Sequence, residues 1–523
     1  LRTTGQAAPA GTITMNSPDI LIDGLASILS NSGGSQPAGE VTLQGNTITV
    51  GQGASILTNA QGSGPGGAIV LNGQQSVVLS SGASLRSNSL SIATGPAGSV
   101  SITSGGPVLL TGTGTSVQSE ARGVGTGGSI NIASPSVQLS DQASASVRTL
   151  ASGNAGQITV SGADLTLSGG ARIDSSTGGS GRGGTTTITT TGGVALSGTG
   201  TAINSSTSGS GAGGSIQVQS GAAQVSDAGM ISAASAGTGN AGTVNIQTGG
   251  NFVMSGGTIA TSATQGQGGD ISVSAGQQVQ MNSNALISAN STGPGNAGDI
   301  LVSAGDAILL NASKITTEAA QASGGNITLM APNLIQLVNS TVSSSVQGGV
   351  QTIGGNITID PQFVILQNSQ IIAQAFQGQG GNINITAGVL LVDGTSVIDA
   401  SSQFGVNGTV SIQSPLSNLS QVVNPLQRST LQAAALLRER CAVRAQSGTM
   451  SSLTVRGRDV APVAPGGMLS GSLLSIGPSP GPVTSGAAQS AVRQSVVPTP
   501  VLLEISGELM RPFAQQAFGS CGS

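Results

Sequence analysis

The chain has 523 residues, of which 84 are glycine and only 7% are charged, with no histidine, tryptophan or tyrosine. Such usage is far from that of ordinary globular domains, and the missing histidine excludes a Ser-His-Asp triad and any histidine-ligated metal centre. The net charge of −4 divides into −8 over residues 1–412 and +4 over residues 413–523, so the acidic body does not attract nucleic acid or anionic lipid.

A glycine- and serine-rich chain invites a reading as a flexible polymer, but 37% of the residues are hydrophobic and they recur with a period. The recurring element is a pair of small residues, the second nearly always the anchor of a repeat, followed by a polar residue and then apolar–polar–apolar alternation. It is clearest at Gly380-Gly381-Asn382-Ile383-Asn384-Ile385. Small residues followed by a period of two predict a turn feeding a strand with one buried face. The anchors are Gly11, Gly39, Gly67, Gly98, Gly128, Gly156, Gly184, Gly214, Gly242, Gly269, Gly298, Gly325, Gly355, Gly381 and Gly408, spaced 26 to 31 residues apart. A period in this range marks a solenoid.

Each repeat predicts three short strands. After Gly156 their apolar residues are Ile158/Val160, Leu165/Leu167 and Ile173; after Gly298 they are Ile300/Val302, Ile308/Leu310 and Ile315. In most repeats the third-strand residue falls 17 positions after the anchor, as at Ile28, Ile56, Ile231, Ile259, Val342, Ile372 and Ile398. Length variation therefore falls after the third strand, in segments such as Ser175–Arg182 and Ser205–Ala212, where one edge tolerates insertion. Glycine and serine are expected at corners that need positive φ or tight bends. The fold expected over residues 1–415 is all-β, a right-handed, single-stranded parallel β-helix of about 14–15 coils. At about 4.8 Å per coil it is a rod about 70 Å long. The Leu-x-x-Leu-x-Leu pattern of a leucine-rich solenoid is missing.

Stacking turns equivalent positions into neighbours. After successive anchors stand Asp270, Asp299, Asn326, Asn356 and Asn382, which predict an amide ladder with two adjacent carboxylates at one end. Two carboxylates fall short of a calcium cage, and the calcium nonapeptide of β-rolls is absent, so no metal or cofactor is expected. Parallel β-helices also carry polysaccharide lyases and glycoside hydrolases, whose sites need clustered acids. Here the nearest approaches to pairs are Asp164/Asp174 and Asp393/Asp399, read as solvated turn residues. No Gly-Lys-Ser/Thr follows a glycine corner, so no phosphate loop is expected. No catalytic, cofactor-binding or metal residue is assigned. An enzyme would require a pocket with converging acids, whereas a purely structural shaft predicts smooth faces.

Toward the end of the array the texture changes to Asp360-Pro361-Gln362-Phe363-Val364-Ile365-Leu366, then Ser396-Val397-Ile398-Asp399-Ala400-Ser401-Ser402 and Asn407-Gly408-Thr409-Val410-Ser411-Ile412. This stretch resembles the end of the repeat region in filamentous-haemagglutinin-like exoproteins of two-partner secretion systems. The resemblance covers about residues 10–460. It implies a secreted, fibre-like adhesin, exported through a separate outer-membrane barrel transporter and acting outside the cell or at its outer surface on a cell-surface or matrix ligand. The family's signal peptide and N-terminal secretion domain are not in this sequence, and Leu1 is not an initiator methionine, so the chain reads as a mature or truncated piece of a longer product.

Residues 416–460 are expected to form a helical cap and linker, with a helix over Arg428–Arg444 whose Ala433, Leu437 and Cys441 share one face. Its simplest role is to cover the last coil, whose unpaired strand edges invite aggregation; a docking helix is the alternative. Residues 461–523 read as a Pro/Gly/Ser-rich flexible tail with a short apolar segment. Cys441 and Cys521 are the only cysteines, a possible disulfide in an oxidising compartment or two free thiols. No run of residues is apolar enough for a transmembrane helix. An autotransporter passenger, which ends in its own barrel, fits this C-terminal region poorly.

Overall fold

A computed structural model describes residues 1–90 and 93–417. The segments 416–460 and 461–523, apart from Leu416 and Ser417, lie outside the described residues, as do the expected helix Arg428–Arg444 and both Cys441 and Cys521. Among the described residues there is no helix; every strand is paired in parallel with its equivalent one coil before or after. The result is a β-solenoid of about fifteen turns.

The third strands form one 15-stranded sheet, from Arg2–Gly5 to Val397–Asp399. The first and second strands together form a 26-stranded sheet. The separation into three pieces per coil needs one amendment. In four coils the first two strands run on without a break, as Val41–Val50, Ala68–Ser80, Ser129–Ser140 and Gln157–Ser168.

Inside, alternation delivers a stripe of apolar side chains from each strand, and parallel register stacks each stripe on itself. Ile130, Ile158, Thr186 and Ile216 follow one another up the first strand, and Val137, Leu165, Val194 and Ala223 up the second. The third strand stacks Ile28, Ile56, Leu85, Val117, Ala145, Ile173 and Ile203 in the same way. Near the end the expected core residue shifts by one. Ile371, not Ile372, pairs with Val342 and Ile398 and is fully buried. The connection between the first and second strands is one residue shorter in that coil, residues 361–362 against 331–333 in the coil before, and the alternation carries Ile372 to the other face.

Thr186 is the polar exception in the stripe. Its hydroxyl meets that of Ser175 at 3.0 Å, and Ser175 in turn meets Ser205 at 2.6 Å, so the buried hydroxyls satisfy one another.

The glycines divide into two classes with different physical causes. Positive φ is confined to the turn after the second strand and its equivalents, for example Gly169 (60°) and Gly170 (83°), where Asp141 (52°) and Gln142 (67°) adopt the same conformation one coil earlier. The anchor glycines are not among the positive-φ residues. They are required by close approach: a Cβ on Gly242 would overlap the carbonyl oxygen of Gly214. A hydroxyl from the third strand closes many of these corners, as Ser119 Oγ does on Gly98 O (2.6 Å) and Thr317 Oγ1 on Gly325 O (2.7 Å).

The insertion-tolerant edge is more ordered than its composition suggests. A bridge residue after each third strand keeps register through Ala60, Ser89, Ala121, Thr149, Thr177, Thr207 and Ser235. Beyond it, Gly95, Gly125, Gly153, Gly181, Gly211 and Gly239 lie in a column, each against the carbonyl of the one before. Insertions there change coil length without breaking the stack.

Candidate functional site

Two places on the surface gather polar side chains by stacking. The first is the column after the anchors, on the first-strand face. Asp270 Oδ1 accepts the backbone N–H of Asp299 (2.9 Å), and Asp299 Oδ1 accepts both the N–H (2.7 Å) and the side-chain amide (3.1 Å) of Asn326. Asn326 Oδ1 does the same for Asn356, Asn356 Oδ1 accepts from Asn382 N (3.0 Å), and Asn382 Oδ1 accepts from Thr409 N (3.0 Å).

In earlier coils the residue after the anchor donates its N–H to the preceding anchor's carbonyl, as Ser215 does to Gly184 (3.0 Å) and Thr243 to Gly214 (3.1 Å). From Asp299 onward it donates instead to the side-chain oxygen of the aspartate or asparagine one coil before, while the residue that follows donates forward in both regions, as Val244 does to Asp270 and Ile300 to Asn326. A carboxylate and an amide both supply the accepting oxygen, and Asn326 and Asn356 each add a donated side-chain N–H. Among the described residues no group of three or more His, Cys, Asp or Glu is placed to hold a metal ion.

The second place was not expected. On the third-strand face Arg86, Gln118, Ser146 and Asp174 fall into one outward column, each paired with the next. Arg172 stands two residues before Asp174, and Arg148 two residues after Ser146. Gln118, Ser146, Arg148, Arg172 and Asp174, together with Glu120, Gln142 and the turn Gly169-Gly170, line an open groove of about 510 Å³. Its charges are only partly matched. Arg148 Nη1 lies 3.6 Å from Asp174 Oδ2, and Arg122 Nη2 lies 4.0 Å from Glu120 Oε2. Glu120 Oε1 accepts the Ser146 hydroxyl at 2.6 Å.

Arg172 donates Nε–H to Gly200 O (3.2 Å) and has no carboxylate partner among the described residues. The Nε of Arg86 is buried without a hydrogen-bond acceptor. A uniformly smooth shaft therefore does not describe this face.

The acid pairs read from the sequence are not pairs in space. Asp164 lies within the strand Gln157–Ser168 and accepts the N–H of Gly193 (2.7 Å), while Asp174 belongs to the other sheet, buried beside Arg148. Neither is a solvated turn residue, because both fall on strands. Glu120 and Asp174 do share the groove, but they sit two coils apart, each beside its own arginine, and do not form a dyad.

Asp393 is a turn residue, accepting from Ser396 N (2.8 Å), Thr395 Oγ1 (3.0 Å) and Asn368 N (2.9 Å). Asp399 lies on a strand, where Gln374 Nε2 (2.6 Å) and Ser401 N (2.8 Å) donate to it. Burial pushes the Asp399 carboxyl up, and the Ser401 and Gln374 hydrogen bonds outweigh it, leaving the group below its ordinary value. Hydrogen bonds, Ser396 foremost, hold the Asp393 carboxyl down at about 2. A depressed folded-state value contributes stability above the unfolded-state value near 3.9, and that contribution is lost as pH falls through about 2. The turn at Asp393 is therefore expected to open in this acid window. Pulse proteolysis across the window should show new cleavage near residues 393–399, and Asp393→Asn should give the same cleavage without the pH step.

The groove residues carried a signal in the sequence. Five of the seven basic side chains of residues 1–417 fall between Arg86 and Arg182. What composition could not supply was their common column. Comparison of the chain with family models, with curated proteins and with solved structures finds no match.

Proposed function

We propose that the chain is the shaft of a surface or secreted exoprotein of the filamentous-haemagglutinin kind, a stiff β-solenoid that extends an adhesive surface away from a cell. The observation that carries this reading is the unbroken stacking of fifteen third strands, with no interruption of the ladder from Arg2–Gly5 to Val397–Asp399. Strength in such a molecule comes from main-chain ladders and a continuous apolar interior, which suit a mechanical role. Support also comes from the terminal Pro361-Gln362-Phe363-Val364-Ile365-Leu366 and Val397-Ile398-Asp399-Ala400-Ser401-Ser402 runs, which resemble the end of that family's repeat region. Among the described residues no helix is long and apolar enough to cross a membrane. The same resemblance implies export through a separate barrel transporter.

The test is the DNA on either side of the coding segment. The expected result is an in-frame signal peptide and haemagglutinin-type secretion domain upstream, with a barrel-transporter gene beside it. A reading frame closed at Leu1, with no export signal and no transporter gene, would overturn the secretion reading.

A further inference from the structure

We infer that the groove on the third-strand face binds a carboxylate-bearing oligosaccharide, a chain of uronic acid residues, with Arg172 as its principal anchor. The inference goes beyond the shaft reading and does not depend on export.

Three features of the groove lead to this ligand. First, the groove is locally neutral on an acidic rod: in its lining Arg148 and Arg172 offset Glu120 and Asp174, within residues 1–412 that sum to −8. Second, one of its positive charges has bonding capacity to spare. Arg172 is exposed and uses only its Nε–H, on Gly200 O, so both Nη groups of its planar fork remain for a carboxylate.

Third, the groove also presents acceptors. Asp174, Glu120, Gln118 and Gln142 stand between and beside the arginines. A ligand that is anionic throughout, such as a polyphosphate or a heavily sulfated chain, would meet repulsion from Asp174 and Glu120. A uronic acid has both parts: one carboxylate per ring for a guanidinium, and ring hydroxyls that donate to carboxylates and amides. A volume of about 510 Å³ lies within the range of small-ligand sites, and an open groove lets a longer chain run past it.

Direct titration of the whole purified protein with oligogalacturonate tests the inference, with neutral oligogalactose and heparin as comparison ligands. The expected result is saturable binding of oligogalacturonate that weakens as salt rises, little binding of oligogalactose, and weaker binding of heparin. Arg172→Gln should weaken oligogalacturonate binding about tenfold or more, and Arg172→Lys should recover only part of it. Arg182→Gln, outside the groove, should change nothing. Asp174→Asn should weaken oligogalacturonate binding and strengthen that of heparin, since it removes an acceptor of hydroxyls and a source of repulsion together.

Unchanged melting temperature identifies variants that have kept the fold. Arg172 projects from the surface and is expected to be one; Arg148→Gln is the second variant should it not be. Absence of oligogalacturonate binding, equal binding of oligogalactose, tighter binding of heparin, or full affinity in a folded Arg172→Gln protein would each overturn the inference. None of these results bears on the export reading, which the gene neighbourhood decides.

Discussion

Phe252→Ala is expected to destabilise the solenoid by about 3–5 kcal/mol, the usual cost of emptying a buried phenylalanine site. Phe252 is the largest fully buried side chain and the only aromatic residue in the described core. It stacks on Ala223 in the coil before and under Val279 in the coil after. The neighbouring columns hold Val244, Ile246, Met254 and Ile259 at this level, and the small alanine beneath leaves room for the phenylalanine ring.

The pairing makes a sharper expectation than the single loss. Ala223→Leu alone should overpack the site and cost about 1–3 kcal/mol. In the Phe252→Ala background the same change should recover stability, because it fills the space left vacant. A double-mutant cycle read by urea denaturation would then return a favourable coupling. Additive effects would show that the two side chains do not share one volume.

Gly242→Ala should be as damaging, by about 3 kcal/mol or more, for an unrelated reason. Nothing about the backbone conformation at Gly242 excludes alanine, since its φ is not positive. The added methyl would run into Gly214 O and the carbonyl carbons of Gly213 and Gly214. Those atoms cannot retreat cheaply. Gly242 N donates to Ala233 O (2.7 Å), Gly214 N to Ser205 O (2.6 Å), and Thr243 N to Gly214 O (3.1 Å), so both coils are tied on either side of the contact.

Gly170→Ala supplies the contrast. Its φ of 83° imposes the strain of a left-handed residue, about 1–2 kcal/mol, but the nearest obstacle to a Cβ is the flexible Gln142 side chain. If the two substitutions cost the same, close approach is not what reserves the anchor positions for glycine. Hydrogen exchange gives the local readout: Gly242→Ala should expose amides on both sides of the contact, around residues 205–260, before the rest of the array.

The coil repeat and its inward residues were legible because they follow from local alternation. Isoleucine or valine two and four positions after an anchor glycine is a short-range pattern, and the anchors themselves are a regular series. Ile371 shows where this stops: a register set by the length of one turn cannot be read from a spacing that assumes all turns equal. The asparagine ladder was visible as a column of like residues. Its start at Asp270 was visible too, because the residues after the preceding anchors, Ser215 and Thr243, carry no carboxylate or amide. The arginine groove was hidden for a different reason. Arg86, Gln118, Ser146 and Asp174 are unlike one another, and no repeat detector aligns an arginine with a serine. Only stacking makes them a single surface.

The glycine column along the loop edge has a consequence for heredity. Each coil meets its neighbours through the same side-chain-free contacts, so a coil duplicated or deleted in the gene should join the stack without new fitting. It would shift everything beyond it by about one strand spacing, 4.8 Å. Over most of the rod such an event alters length and nothing else. Between Gln118 and Arg172 it would separate side chains that work only as adjacent storeys. Coil number is thus free to drift everywhere except across the groove, where the order of storeys is itself the information.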